Sequence, residues 1–153
     1  FGKTTVFERS AKAPMLISVP DMSSKGKRCE RVVEFLDIFP TLTSLCNIGS
    51  PDTVQGRSLV PLLKNPKKKT EEWKGAAYTC FTSDNWSVRT DRWRYIEWNV
   101  TNGGRALYDK YNDVGEHYNL IDNPEYADVV DEVQQMLLSV RGNQGSSIDN
   151  KCN

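Results

Sequence analysis

The sequence predicts a mixed α/β chain: the end of a large, mostly parallel sheet, then an α+β C-terminal part with a small antiparallel sheet packed on a C-terminal helix. Three observations carry this. A short apolar run at 13–19 closes on Pro20, as a strand buried on both faces does. Extended, aromatic-rich segments follow from residue 76, separated by turn residues. Apolar residues then recur at helical spacing from Tyr126 to Val140.

The elements follow in order. Residues 21–28 form a polar loop with Lys25, Lys27 and Arg28, and residues 31–36 are again apolar. Pro40 is tolerated only in the first turn of a helix, so the first helix is placed with Asp37 as N-cap, running to about Cys46 and stopping before Gly49-Ser50-Pro51. Residues 51–75 read as a linker. Within it, Lys64-Asn65-Pro66-Lys67-Lys68-Lys69 is the long basic run, read as a solvated loop balanced by Glu71 and Glu72 rather than a polyanion site.

Residues 76–142 read as a compact subdomain. Segments 76–82, 87–90 and 93–99 are extended, with Trp93 and Tyr95 on one face of the third and Ile96 and Trp98 on the other. Thr90-Asp91-Arg92 is a tight turn, and Asn102-Gly103-Gly104 is a hairpin signal leading into Ala106-Leu107-Tyr108-Asp109. In the final helix, 124–140, Asn123 caps, Pro124 takes the first position, and Tyr126, Val129, Val130, Val133, Met136, Leu137 and Val140 form the buried stripe. Gly142 is the expected stop, and residues 143–153 a flexible tail.

Twenty basic and 20 acidic residues give a formal net charge of zero, so no global field draws the chain to nucleic acid or an anionic membrane. No apolar run approaches the length of a membrane span. The start, Phe1-Gly2-Lys3, is neither Met nor a signal peptide, and reads as processing or a partial chain. Asn85-Trp86-Ser87 and Asn99-Val100-Thr101 match the N-glycosylation acceptor pattern. The four cysteines (Cys29, Cys46, Cys80, Cys152) lack Cys-x-x-Cys spacing, which speaks against zinc. Their pairing stays open among three internal connectivities and a bond to another part of the protein. Together these features place the chain in a lysosomal or secreted compartment.

Five segments resemble the type I, formylglycine-dependent sulfatases of the alkaline phosphatase-like superfamily. Phe1-Gly2-Lys3, Phe7-Glu8 and Pro14-Met15-Leu16-Ile17 resemble the stretch after the last metal ligands. Asp37-Ile38-Phe39-Pro40-Thr41-Leu42 is similar to the family's D-L-F-P-T-L, and Gly56-Arg57-Ser58-Leu59-Val60-Pro61-Leu62-Leu63 to its G-R-S-L-x-P-L-L. Residues 86–95 resemble the S-I-R-T-x-R-Y-R-Y of the iduronate-2-sulfatase branch, and Leu107-Tyr108-Asp109 with Asp113, Glu116, Asn119 and Leu120 the closing E-L-Y-D…D-P-x-E-x-x-N-L. The chain departs from the pattern at Thr4, Lys12, Ala106 and Val114.

The resemblance implies that residues 1–50 are the last strand and helix of the catalytic domain, and that the chain is the C-terminal portion of an enzyme hydrolysing sulfate esters of a sulfated sugar such as a glycosaminoglycan. It implies a formylglycine made from a Cys in a C-x-P/A-x-R context, which none of these cysteines has, and a calcium ion held by carboxylates. Nucleophile and calcium are therefore expected in the N-terminal part of the same sulfatase, as a separate chain or absent segment, with no metal site here and no activity from this chain alone. Lys3 matches the family's catalytic lysine, whose ammonium would offset charge on the sulfate in the transition state. Arg89, Arg92 and Trp86 are candidate substrate contacts, since Arg pairs with sulfate or carboxylate and Trp stacks on sugar faces. The competing reading of these side chains is a sheet core with arginines at its rim. Lys12 reads as structural and His117 as a surface turn residue. The alternative function is a non-catalytic secreted module binding sulfated glycans or a protein partner.

Overall fold

The computed structural model describes residues 4–69, 73–98 and 103–148. These fall into two units, Pro14–Ala77 on one hand and Phe1–Ala13 with Tyr78–Asn153 on the other. The first described residues thus pack with the C-terminal sheet.

The sheet contains four strands in the order β1 (Ala76–Phe81), β2 (Asn85–Thr90), β3 (Trp93–Trp98) and β4 (Arg105–Asp109). It is a meander, with β2–β3 and β3–β4 antiparallel. The turn between β2 and β3 is closed by Thr90, whose Oγ1 accepts from Trp93 N at 3.0 Å. Trp98 N donates to Gly104 O at 2.9 Å across the second hairpin, whose Asn102 lies outside the described residues.

Both faces of this sheet are covered, and side-chain alternation sorts its residues between them. On one face lies the C-terminal helix, α4 (Ala127–Ile148). A 3-10 turn, Pro124–Tyr126, leads into it, and the Asn123 side chain accepts from Glu125 N at 3.0 Å, as expected of an N-cap. The helical stripe holds: Val130, Val133 and Leu137 are buried, and Tyr126 meets Trp93 edge-on with ring centroids 5.5 Å apart. The polar end of this interface is closed by Glu97, which accepts from Gln134 (3.0 Å), Arg141 (2.9 Å) and Tyr95 (2.7 Å). Gly142 does not end the helix as expected. Glycine in a helix interior costs roughly 1 kcal/mol relative to alanine, an amount a packed helix absorbs, and α4 continues to Ile148.

The second face packs on the N-terminal segment, which includes the short helix α1 (Glu8–Ala11). Val6 is fully buried against Ile96, Ala106 and Tyr108, and Phe7 packs beside them against Trp98 and Tyr108.

In the other unit a 3-10 turn, Phe35–Asp37, runs into α2 (Ile38–Leu45), with Pro40 in the first turn and Cys46 as C-cap. Asp37 is buried and holds the N-cap position of α2, as expected, but its side chain makes no capping bond there. Its carboxylate accepts from Glu34 N and Arg57 N, both at 2.9 Å. Thr41 Oγ1 accepts from Leu59 N at 2.8 Å, so the D-x-x-x-T step of α2 anchors the Gly56–Leu59 stretch. Gly56 is required there: a Cβ on it would lie 2.0 Å from Leu36 O. The stretch read as a linker therefore contributes structure. It carries α3 (Val60–Lys64), and Leu59, Leu62 and Trp73 form the unit's core.

Residues 13–19 form no strand, against expectation. A strand needs ladder partners, and no described segment of this unit pairs with them. Leu16 is left 89% exposed. Phe35, Leu36, Phe39, Leu42 and Ile48 are also exposed, a concentration of apolar surface unusual for an isolated domain.

Candidate functional site

The strongest concentration of chemistry lies on the sheet face that meets the N-terminal segment. Strand β3 places Arg94 on this face, directly opposite Arg89 of β2. Arg94 is 2% exposed. Its guanidinium donates to Glu8 Oε2 at 2.6 Å, to Val6 O at 3.0 Å and to Ser87 Oγ at 3.1 Å. Its Nε lies 2.9 Å from Glu116 Oε1, close enough for an ion pair but without the alignment of a hydrogen bond. Lys110 Nζ approaches the same Glu116 oxygen at 3.2 Å and donates to Val114 O at 2.6 Å. Glu116 Oε2 in turn accepts from Glu8 N at 2.9 Å. Arg89 Nε completes the cluster, 3.3 Å from Glu8 Oε2; its Nη1 is enclosed without a hydrogen-bond partner.

Three cations thus share two carboxylates in a setting screened from water. Burial pushes the Glu8 carboxyl up, but the hydrogen bond and charge of Arg94, aided by Arg89 and Lys110, outweigh it and hold Glu8 below the usual glutamate range. Burial pulls the Arg89 guanidinium down, and Glu8 partly restores it. Glu116 sits at φ +59°, a left-handed backbone conformation that costs a non-glycine residue on the order of 1–3 kcal/mol and is held by the ion pairs it serves. Such an arrangement binds and orients. Glu8, held ionised by its arginine partners, is not poised to move a proton near neutral pH.

Among the described residues, the sequence candidates are not brought together. Lys3 and Asn99 lie outside the described residues, as does Cys152. Arg89 is engaged by Glu8 on one face of β2, whereas Trp86, three residues earlier, is buried on the other face and donates to Ser83 O at 2.9 Å. Arg92 stands at the β2–β3 turn, where its guanidinium grips the Asp109 carboxylate with bonds of 2.8–3.2 Å and stacks on Trp93 at 4.4 Å. The Arg92 hydrogen bond, before other causes, holds the Asp109 carboxyl below its usual range. Arg92 keeps 44% of its side chain exposed. Asn85 opens β2 beside the turn, its Nδ2 donating to Thr82 Oγ1 at 2.9 Å. Cys29, Cys46 and Cys80 are exposed free thiols. Lys12 is exposed and pairs loosely with Glu8 at 3.8 Å, and His117 is exposed just after the turn at Val114-Gly115, where its backbone N–H donates to Asp113.

A metal does not fit here. Among the described residues no three His, Cys, Asp or Glu side chains converge, and the two carboxylates of the buried cluster are already matched by cations. Among those residues, too, no helix is long and apolar enough to cross a membrane.

Sequence reasoning used Arg94, Glu8 and Glu116 only as pattern letters and passed over Lys110. One signal for the first was available: Arg94 and Glu97 are charges within Trp-Arg-Tyr-Ile-Glu-Trp, a strand apolar on both faces, where a charge needs a partner.

Comparison with known proteins adds a second line. The family model described as "N-sulphoglucosamine sulphohydrolase, C-terminal" matches residues 1–143. A sulfatase of Formosa agariphila is 27% identical over 137 residues, covering 90% of this chain and 26% of its own length. An N-acetylglucosamine-6-O-sulfatase of Bacteroides thetaiotaomicron is 26% identical over 145 residues, covering 90% and 26%. The solved structure of a 2-O GAG sulfatase superposes with TM-score 0.63 at 26% identity, over 84% of this chain and 30% of that one. The chain therefore spans between a quarter and a third of the length of these proteins.

Proposed function

Because the chain belongs to the family of N-sulphoglucosamine sulphohydrolase C-terminal regions, we propose that it is the C-terminal portion of a sulfatase that hydrolyses sulfate esters of a sulfated sugar such as a glycosaminoglycan. The observation that carries this is the family match over residues 1–143. The substrate class is supported by relatives described as acting on N-acetylglucosamine 6-O-sulfate and on 2-O-sulfated glycosaminoglycan. The finer likeness to the iduronate-2-sulfatase branch rests on residues 86–95 alone.

The formylglycine nucleophile and the calcium ion belong, in this reading, to the preceding catalytic region. Residues 1–50 complete that region. The exposed Leu16, Phe35, Leu36, Phe39 and Leu42 support this, since a concentration of exposed apolar side chains marks a surface that other protein covers. Lys3 supplies a fixed ammonium that offsets charge developing on the sulfate oxygens and the leaving alkoxide. Among the arginine and tryptophan candidates, Arg92 has the accessibility to meet a sugar carboxylate or sulfate, whereas Arg89 and Trp86 are engaged on opposite faces of β2. A lysosomal or secreted location, with glycan at Asn85 or Asn99, completes the reading.

The test is sulfate release. The complete protein, with its formylglycine verified by mass spectrometry, is incubated with sulfated glycosaminoglycan oligosaccharides and free sulfate is measured by ion chromatography. Sulfate released from at least one of them is the expected result. A modified, folded enzyme that releases none from any sulfated sugar overturns the proposal.

A further inference from the structure

The N-terminal segment is pinned more heavily than a surface segment requires. Val6 has no exposure, and its carbonyl accepts from Arg94. The next ring, Phe7, lies 5.5 Å from that of Trp98. Glu8 is then held twice, by its carboxylate to Arg94 and Arg89, and by its backbone N–H to Glu116. The clamping groups come from β2, β3 and the loop after β4, so the segment is registered against three separate pieces of chain. Hydrophobic packing alone would stabilise the segment equally well. Charged, directional contacts add orientation.

Lys3 precedes Val6 by three residues. A chain of that length reaches roughly 11 Å at most, so a fixed Val6 bounds where the Lys3 backbone can lie. We infer that Glu8 and Arg94 are positioning residues, which hold the segment carrying Lys3 in register so that its ammonium is aimed at the sulfate. This rests on the catalytic reading of Lys3 given above. Misplacing a reacting group by about 1 Å can cost on the order of a hundredfold in rate, so loosening this clamp should be felt in turnover.

The experiment is a kinetic double-mutant cycle in the complete enzyme, run well below its melting temperature with the fold checked by near-UV circular dichroism. Glu8→Gln keeps the side-chain shape and removes the charge. It is expected to lower kcat roughly 10- to 100-fold with KM changed about twofold or less, the signature of an interaction felt in the transition state. In a Lys3→Ala background the same substitution should cost little more, because Glu8 acts through Lys3. Glu8→Asp, which keeps the charge, should recover part of the loss, and it replaces Glu8→Gln in the cycle if that variant does not fold. A folded Glu8→Gln enzyme with wild-type kcat overturns the inference. So does a Glu8 effect that multiplies fully with a large Lys3→Ala effect, and that outcome leaves the role of Lys3 standing. Wild-type kcat in Lys3→Ala itself removes the role of Lys3, and the positioning role with it.

Discussion

Arg89 and Arg94 stand directly opposite each other on neighbouring antiparallel strands, and one oxygen of Glu8 lies 3.3 Å from the first and 2.6 Å from the second. Like charges in that register repel. The pairing of β2 with β3 therefore depends on a carboxylate delivered from more than 80 residues earlier in the chain.

Removing that carboxylate should be costly. Glu8→Ala is expected to destabilise the protein by about 3–5 kcal/mol, the scale of breaking one side of a buried ion pair. Adding Arg89→Met should restore part of the loss by removing the repulsion. Urea unfolding of the two variants checks this; a double variant less stable than Glu8→Ala would contradict it.

The α4 interface is a conventional apolar contact. Leu137 has no exposure, so Leu137→Ala should cost about 2–5 kcal/mol. Asp131→Ala, on the exposed side of the same helix, should stay within about 0.5 kcal/mol. Thermal melts of both variants separate burial from any general sensitivity of the helix.

Acid should loosen the sheet. Burial raises the Glu97 carboxyl, but hydrogen bonds from Tyr95, Gln134 and Arg141 outweigh it, so Glu97, like Glu8 and Asp109, titrates below its ordinary range. A depressed carboxyl contributes stability above its unfolded value, near 4, and loses it as pH falls through the lower folded value. The melting temperature should be flat between about pH 7 and pH 5 and fall from about pH 4 downward. Glu97→Gln should shallow that fall, and an unchanged slope would show that Glu97 is not among the groups responsible.

Gly56 tests the other unit. With a Cβ 2.0 Å from the Leu36 carbonyl, Gly56→Ala must displace backbone, and should cost about 1–3 kcal/mol or more. Gly49→Ala, where the added methyl meets nothing within 4 Å, is the matched control in unfolding measurements.

On the proposed sulfatase reading, Lys3→Ala in the complete protein should lower kcat by about a hundredfold or more, with a smaller change in KM, as expected for the loss of one preorganised charge. Steady-state kinetics with a sulfated sugar decide this. Unchanged turnover would remove Lys3 from the chemistry.

Legibility tracked how local each signal was. The meander, the Asn123 cap and the Val130–Val133–Leu137 stripe are properties of neighbouring residues, and they appear where the pattern placed them. Gly142 misled because glycine both ends helices and is tolerated within them, and context chooses. Residues 13–19 misled for another reason: a strand exists only through its neighbours, and this chain's described residues supply none.

By itself, then, the sequence determined the α/β class, the four extended segments, the C-terminal helix and, through Lys3 and five ordered segments, the family resemblance. Those follow from side-chain periodicity, turn chemistry and motif order, all of which are written along the chain. Tertiary structure alone decided that Glu8, Arg89, Arg94, Lys110 and Glu116 form one buried cluster. Partners up to 108 residues apart meet there. A charge in a strand announces that it needs a counter-charge; only folding determines which one arrives.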